Sequence, residues 1–401
     1  MKNGWQYKKV SEIAKHSLGK MLDKAKNKGE LKPYLRNLNI RWFDFDLSDV
    51  LEMRFLPEEA AKYRAVKGDV LICEGGYPGR AAIWEQDEPV YFQKALHRVR
   101  FSEPERSKWF LYYLLAKNLD GTLKSHFNGA GIQHFTGEAL AQFEVPLPPL
   151  PEQQRIIGIL DEAFEGIATA KADAEKNLQN ARALFESYLQ SVLTPHGPGW
   201  VEKPLSELCD IKHGFAFKSE FFSSEGDCVL LTPGNFYESG GYRDRGDKQK
   251  YYTGDIPRDY VLCKGDLLVA MTEQAAGLLG SPILIPESDK FLHNQRLGLV
   301  TKKPGVPWTN EFFFHVFNTQ AVREEIRDSA SGVKVRHTSP TKLGEVVVLF
   351  PTSLSEQRAI VSMLKDLREE TQRLASIYQQ KLAALEALKK SLLHQAFTGA
   401  L

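Results

Sequence analysis

Two long stretches of the chain repeat their apolar residues in steps of three and four. In the first, Ile157, Leu160, Phe164, Ile167, Ala174, Leu178, Ala181, Phe185, Tyr188 and Val192 keep that spacing, with Lys171 as the one off-pattern member. The mean step is close to 3.5 residues. That marks the narrow seam of a coiled-coil helix rather than the broad face of a helix lying on a globule. Between Pro151 and Pro195 there is no proline, and Gly158 and Gly166 are the only glycines. At 1.5 Å per residue, about 40 helical residues span roughly 60 Å, far more than a small domain requires. The run Pro146-Leu-Pro-Pro-Leu-Pro151 precedes the seam. Fixed φ angles and missing amide protons predict an extended rod there.

A helix of that length with one apolar seam needs a second helix along it, and the C-terminus supplies one. Pro351 and Ser355-Glu-Gln-Arg-Ala-Ile360 repeat the proline and the Glu-Gln-Gln-Arg-Ile-Ile opening, 203 residues further on. A second seam follows through Ile360, Leu364, Leu367, Thr371, Leu374, Tyr378, Leu385, Leu388 and Leu392, with Lys381 off-pattern. The ends correspond as well, Ser187 to Thr194 against Ser391 to Thr398. A repeat of about half the chain implies duplicated domains rather than the 20–50-residue periods of solenoids.

Residues 1–145 and 196–350 show strand and loop patterns in matching order. Lys67-Gly-Asp-Val-Leu-Ile-Cys73 predicts a turn feeding a short buried strand, and Lys264-Gly-Asp-Leu-Leu-Val269 repeats it. The glycine loop Glu74–Arg80 permits close backbone approach to a ligand, and Met271–Gly280 stands in its place in the second copy. Trp109–Ala116 predicts a short core helix. Asn128–His134 is replaced by Ser331–His337. Scaffold positions agree while loops and basic segments differ, as expected of two related binding modules with different preferences.

Length and composition fit this division. The 401 residues, 42% hydrophobic and 26% charged, exceed the usual single-domain size, so two or more cores are expected. Net charge is only +1, yet Lys8–Arg41 holds ten Lys/Arg against Glu12, Asp23 and Glu30. The plain meaning of such a run is a solvated face. With Tyr34, Trp42, Phe43 and Phe45 close behind, it also fits a phosphate-affinity patch. Cysteines 73, 209, 228 and 263 make no metal or disulfide spacing. No apolar leader core or 18-residue apolar span is present, so a soluble cytoplasmic protein is expected.

Catalytic motifs are missing where they would be needed. Phe127-Asn-Gly-Ala-Gly131 imitates the FxGxG loop of S-adenosylmethionine sites, but no Asn/Asp-Pro-Pro-aromatic tetrapeptide follows it. There is no GxxxxGK[ST] loop. His134 and His337 occupy matching places, yet neither has a nucleophile partner in the sequence.

Two units of about 150 residues, each leading through a Glu/Gln/Arg opening (Glu152-Gln-Gln-Arg155 and Glu356-Gln-Arg358) into a long seamed helix, resemble the specificity subunits of type I restriction–modification systems. The closing Leu393-His-Gln-Ala-Phe-Thr-Gly-Ala-Leu401 strengthens the likeness, which covers the whole chain. The resemblance implies an α+β fold of two tandem target recognition domains, separated and closed by two long helices paired as an antiparallel coiled coil. The expected divisions are 1–150, 151–194, 195–351 and 352–401. Because the second copy lacks the proline run, the start of its helix stays open.

The resemblance further implies a non-catalytic chain that binds double-stranded DNA, each domain reading half of a bipartite target. Two methyltransferase subunits would dock on the helices and restriction subunits would join them. S-adenosylmethionine, ATP and Mg would then belong to those partners. The residues chosen to carry the helix pairing and docking are Ile157, Leu160, Phe164, Phe185, Ile360, Leu364, Leu367 and Leu388. Charge and loop position single out Lys24, Lys26, Lys28, Arg36, Arg41, Arg80 and His134 as DNA contacts in the first domain. In the second they single out Arg243, Arg245, Lys248, Lys334, Arg336 and His337. The rival readings are a self-contained methyltransferase or nuclease, and a coiled-coil adaptor without DNA affinity.

Overall fold

The computed structural model describes residues 4–23, 25–194, 198–273 and 277–401. They form two compact units, Met1–Lys176 with Tyr378–Leu401, and Asn177–Ile377, so each unit takes part of both long helices. In the first unit a four-stranded antiparallel sheet has the order Ala14–Leu18, Leu96–Phe101, Val70–Cys73, Ala81–Ile83. A second sheet carries Leu51–Phe55, Glu30–Leu35, Val90–Phe92 and Arg64–Ala65, with one parallel pair in its middle. Gln6–Lys9 pairs with Glu144–Leu147 and closes the module.

The second unit repeats that plan. Its four-stranded antiparallel sheet runs Cys209–His213, Leu297–Lys302, Leu267–Ala270, Pro282–Leu284. Tyr251–Tyr252, Val229–Leu230 and Phe291–Leu292 reproduce three strands of the other sheet, parallel pair included, and Trp200–Pro204 closes on Val347–Pro351. Both central strands are buried at every residue, as their continuous apolar runs require. The predicted helix around Trp109 spans Arg106–Leu119, and residues 109–115 are all buried in the first core.

The long helices are Leu150–Val192 and Leu354–Thr398. The proline run is therefore not a rod throughout: Glu144–Leu147 is strand, and Pro151 lies in the helix's first turn, where a missing amide proton costs nothing. The second helix begins without the prolines because Ser353 accepts the Glu356 amide at 3.3 Å, serving as its N-terminal cap. Within the first unit, Lys171 Nζ lies 2.9 Å from Glu386 Oε1, and Arg155 Nη2 donates to the Leu401 carbonyl at 2.8 Å. Within the second, the Arg368 guanidinium sits 4.7 Å from the Phe185 ring centre and Tyr188 Oη lies 3.8 Å from Met363 Sδ. As one helix's numbers rise the other's fall, so the pairing is antiparallel.

The seams are not reserved for the partner helix, which corrects the sequence expectation. Ile157 and Leu160 are buried in the first core with Trp109, Leu393 and Ala396, while Phe185, Ile360 and Leu364 belong to the second with Phe312 and Phe350. Phe164 stands edge-on to Tyr112 at 5.4 Å, and Leu367 packs against the second core. Each helix lies on its globule near the roots and offers a narrow seam only between them. Leu388 is 47% exposed, and so off the seam. Past Tyr378 the inward positions shift to Leu382, Leu385 and Lys389, which leaves Lys381 in solvent. Lys389 remains partly buried by placing its ammonium 4.8 Å from the Phe164 ring centre, and burial lowers its pKa.

A buried glutamine fixes each helix root. Gln153 Nε2 donates to the Pro148 carbonyl at 2.8 Å. Gln357 Nε2 donates to Pro351 and Pro307, while its Oε1 accepts from the Thr309 amide and hydroxyl. These residues are 204 apart (357 − 153), against the 203 of the aligned opening, because the second copy carries one extra residue between strand and helix. Gln357 is fully buried. Its replacement by Ala strands the Thr309 amide and is expected to cost about 1–3 kcal/mol. A lowered unfolding midpoint relative to wild type, larger than for Gln154→Ala on the exposed side of the other root, is the check.

Candidate DNA interface

In the first unit much of the basic stretch is already paired. Arg36 Nη2 lies 2.6 Å from Asp49 Oδ2, and Arg41 Nη2 lies 2.8 Å from Asp46 Oδ2. Lys20, Lys26 and Lys32 pair with Glu59, Asp23 and Glu30. Of the nine described cations in the window, five thus lie beside carboxylates, three of which (Asp46, Asp49, Glu59) fall outside the window. Ser48 donating to Asp46 holds that carboxyl below its ordinary range. The aromatic residues are not a stacking surface: Tyr34 is buried, Trp42 and Phe43 pack against the first core, and Phe45 meets Trp84 at 5.2 Å. Lys26 and Lys28 are exposed, and Lys24 lies outside the described residues.

Arg80 stacks on Tyr77 at 3.7 Å from the ring centre and donates through Nη2 to the Asn37 carbonyl at 3.0 Å. His134 is on the facing hairpin. A Cβ on Gly75 would come within 2.9 Å of His134 Nδ1, and one on Gly76 within 2.4 Å of Asn37. The glycine loop therefore makes room for its own neighbours, gathering Asn37, Tyr77, Arg80 and His134 at one place.

The hairpins Asn128–His134 and Ser331–His337 are closed by equivalent bridges. Gly129 and Gly332 adopt φ of +112° and +99°, and a Cβ on either would strike a carbonyl oxygen three residues on. Gly129 and Gly332 thus shape the two hairpin turns. Lys334 is exposed near the second hairpin's tip, Arg336 donates to the Arg327 carbonyl, and His337 Nδ1 lies 3.3 Å from Thr272 Oγ1.

In the second unit this hairpin borders a cleft of about 610 Å³ lined by Arg245, Lys250, Arg296, His337 and Thr272, with no acidic side chain. Arg245 and His337 come together there, whereas Arg243, Lys248, Lys334 and Arg336 do not line it. Arg243 instead lies 5.9 Å from the Tyr237 ring centre, and Lys248 is exposed on the same loop. Sequence reasoning missed Lys250, which stands two residues past the chosen Lys248, and Arg296, which belongs to no charge run. The usable signal was the repeat itself, which sets Arg296 opposite a small residue in the other copy.

Hydrogen bonds define that correspondence. The Glu74 amide donates to the Ala95 carbonyl as Met271 donates to Arg296, and the Cys73 amide donates to Arg80 as Ala270 donates to Ser281. The Asp46 amide donates to Asn39 as Arg243 donates to Asn235. One backbone therefore carries Arg80, Ala95 and Asp46 in the first unit, and Ser281, Arg296 and Arg243 in the second. Burial pushes His97 and His293 down to about 4, each bonded through Nε2 to a backbone carbonyl. Burial also raises the Cys73 thiol to about 11. Among the described residues no group of three or more His, Cys, Asp or Glu is placed to hold a metal, and no helix is long and apolar enough to cross a membrane.

A duplicated module of this topology, joined through long antiparallel helices, defines a class. Residues 2–178 and 198–385 both match the type I restriction modification DNA specificity domain. The chain belongs to that family and is a specificity subunit with two recognition domains. It is 22% identical to the type I restriction enzyme MjaVIII specificity subunit of Methanocaldococcus jannaschii, over 98% of this chain and 92% of the relative. It is 27% identical to the EcoBI specificity subunit of Escherichia coli, over 55% of this chain and 43% of the relative. A chain from a type I R-M system, solved in a study of complex assembly and conformational transition, superposes with TM-score 0.77 at 19% identity, covering 100% and 99% of the two chains. The HsdS subunit of Thermoanaerobacter tengcongensis gives 0.64 at 18% identity, covering 100% and 98%. At these identities the structures speak for the fold.

Exposed lysines attract phosphate whatever the sequence. Replacing Lys24, Lys26 and Lys28 by Ala is expected to weaken target and non-target DNA alike, and to flatten the salt dependence by up to about one unit of slope per lost contact. Binding titrations across a salt series measure both. Unchanged slope and affinity would leave these lysines a solvated face.

Proposed function

We propose that each recognition domain binds one half of a bipartite double-stranded DNA target and that the two long helices set the distance between the halves. On this reading the chain is non-catalytic. Two methyltransferase subunits dock on the helices, and restriction subunits join that core. S-adenosylmethionine, ATP and Mg are held by those partners. The observation that carries the reading is one duplicated backbone bearing different side chains at equivalent loop positions, Arg80 and Ala95 against Ser281 and Arg296. Equal frames give equal docking geometry, while unequal side chains give unequal sequence preference. Linking two readers in one chain also raises the effective concentration of the second contact once the first is made.

Spacing is the testable part. Helices of 43 and 45 residues are each shared between the units. Four residues inserted beside the exposed Ala172 lengthen one helix by about 6 Å and nearly preserve its face. A base-pair step is about 3.4 Å, so the preferred gap is expected to grow by one or two base pairs with both half-sites unchanged. Methylation by the complex reassembled with its methyltransferase subunits reads this out. An assembled variant that keeps the original gap would show that the distance is set elsewhere.

A further inference from the structure

The cleft of the second unit gathers three cations, of which Lys250 also lies 5.5 Å from the Phe222 ring centre. Arg245, Lys250 and Arg296 line it without an acidic neighbour in the lining. In the first unit, by contrast, Arg36 and Arg41 are tied to Asp49 and Asp46. The position equivalent to Asp46 is Arg243, so the loop that neutralises itself in one unit lacks that acid in the other. Arg296 is exposed on a turn whose counterpart carries Ala95, and Arg245 fits against Gly234, where a Cβ would come within 2.9 Å of its Nη1. Like charges gathered in a concave site repel one another until a partner arrives.

We propose that Arg296 and Arg245 are specificity-determining residues that recognise guanine edges in the half-site bound by the second recognition domain. This assignment rests on the half-site reading above. A phosphate contact asks only for a positive charge on an accessible surface. This cleft adds apolar walls from Pro233, Leu278 and Val335 and the Thr272 hydroxyl, a lining suited to a base rather than to a solvated phosphate. The planar guanidinium presents two parallel N–H groups that match the O6 and N7 acceptors of guanine in the major groove. Arg80 is the first unit's counterpart. It lies on the turn before Ala81–Ile83, whereas the position of Arg296 matches the turn before Leu96–Phe101, so the two domains place an arginine on different turns beside one strand end.

The test is methylation of a DNA library randomised across the target, by complexes reassembled from the full chain and its methyltransferase subunits. Arg296→Ala and Arg245→Ala are each expected to lower the preference for guanine at one position of the same half-site by on the order of tenfold to a hundredfold. Arg80→Ala is expected to act on the other half-site. Arg296→Lys keeps the charge without the fork, so it should lose the guanine preference while retaining most of the affinity, and it decides the matter if the alanine variant proves unstable. Even weakening across all sequences, an intact preference at every position, or Arg80 and Arg296 acting on the same half would overturn the assignment. A wild-type complex whose methylation shows no two-part dependence would remove the half-site reading, and the assignment with it.

Discussion

Everything in each module hangs on how its last strand passes into its long helix. The strands Glu144–Leu147 and Val347–Pro351 run at the module edge, and a glutamine amide in the first turn of the helix returns to the strand's end. In a buried site such a bond is specified by exclusion. Any other helix direction would leave a carboxamide and a backbone carbonyl unpaired, at about 1–3 kcal/mol for each orphan. Gln357 goes further and also holds Pro307 and Thr309, which start the helix Asn310–Phe317 of the second core. Helix direction is thus set by hydrogen bonding within each module.

The seam plays the complementary part. Near the roots its large residues complete the modules' cores, and between the roots it narrows to small or self-satisfied side chains. Ala174 and Ala181 are buried, and Thr371 turns its hydroxyl back to the Leu367 carbonyl of its own helix at 2.9 Å. The charged members make pairing specific rather than strong. Lys171 and Glu386 are about half exposed, and a pair in that setting contributes at most about 1 kcal/mol. A one-residue slip would separate them and bring Leu388 inward in place of Lys389, so they act chiefly on register.

The features legible in the sequence were the strongly periodic and the repeated ones. The duplication, the long helices, the Trp109 core helix and the paired strands at Val70 and Leu267 follow from spacing and apolar runs alone. Those were misjudged that depend on neighbours outside the stretch in which they were read. The cations near Arg36 look unopposed until Asp46 and Asp49 fold back on them, and Phe43 and Phe45 look like a stacking surface until Tyr112 and Trp84 cover them. The seam slip at Lys381 was hidden because Tyr378, Leu382, Leu385 and Lys389 run in the same alternating steps of three and four as Tyr378, Lys381, Leu385 and Leu388. Arg296 was invisible for a different reason, since a single arginine between strands announces nothing until the other copy shows alanine on the same backbone.

The central claim is that one frame, used twice, divides recognition into two separately specified halves. Mapping methylated bases across DNA modified by the reassembled complex tests it most directly. The account predicts a two-part motif, its halves different in sequence and divided by a gap of fixed length and indifferent composition. A single continuous motif, or two halves joined by a gap of variable length, would contradict it.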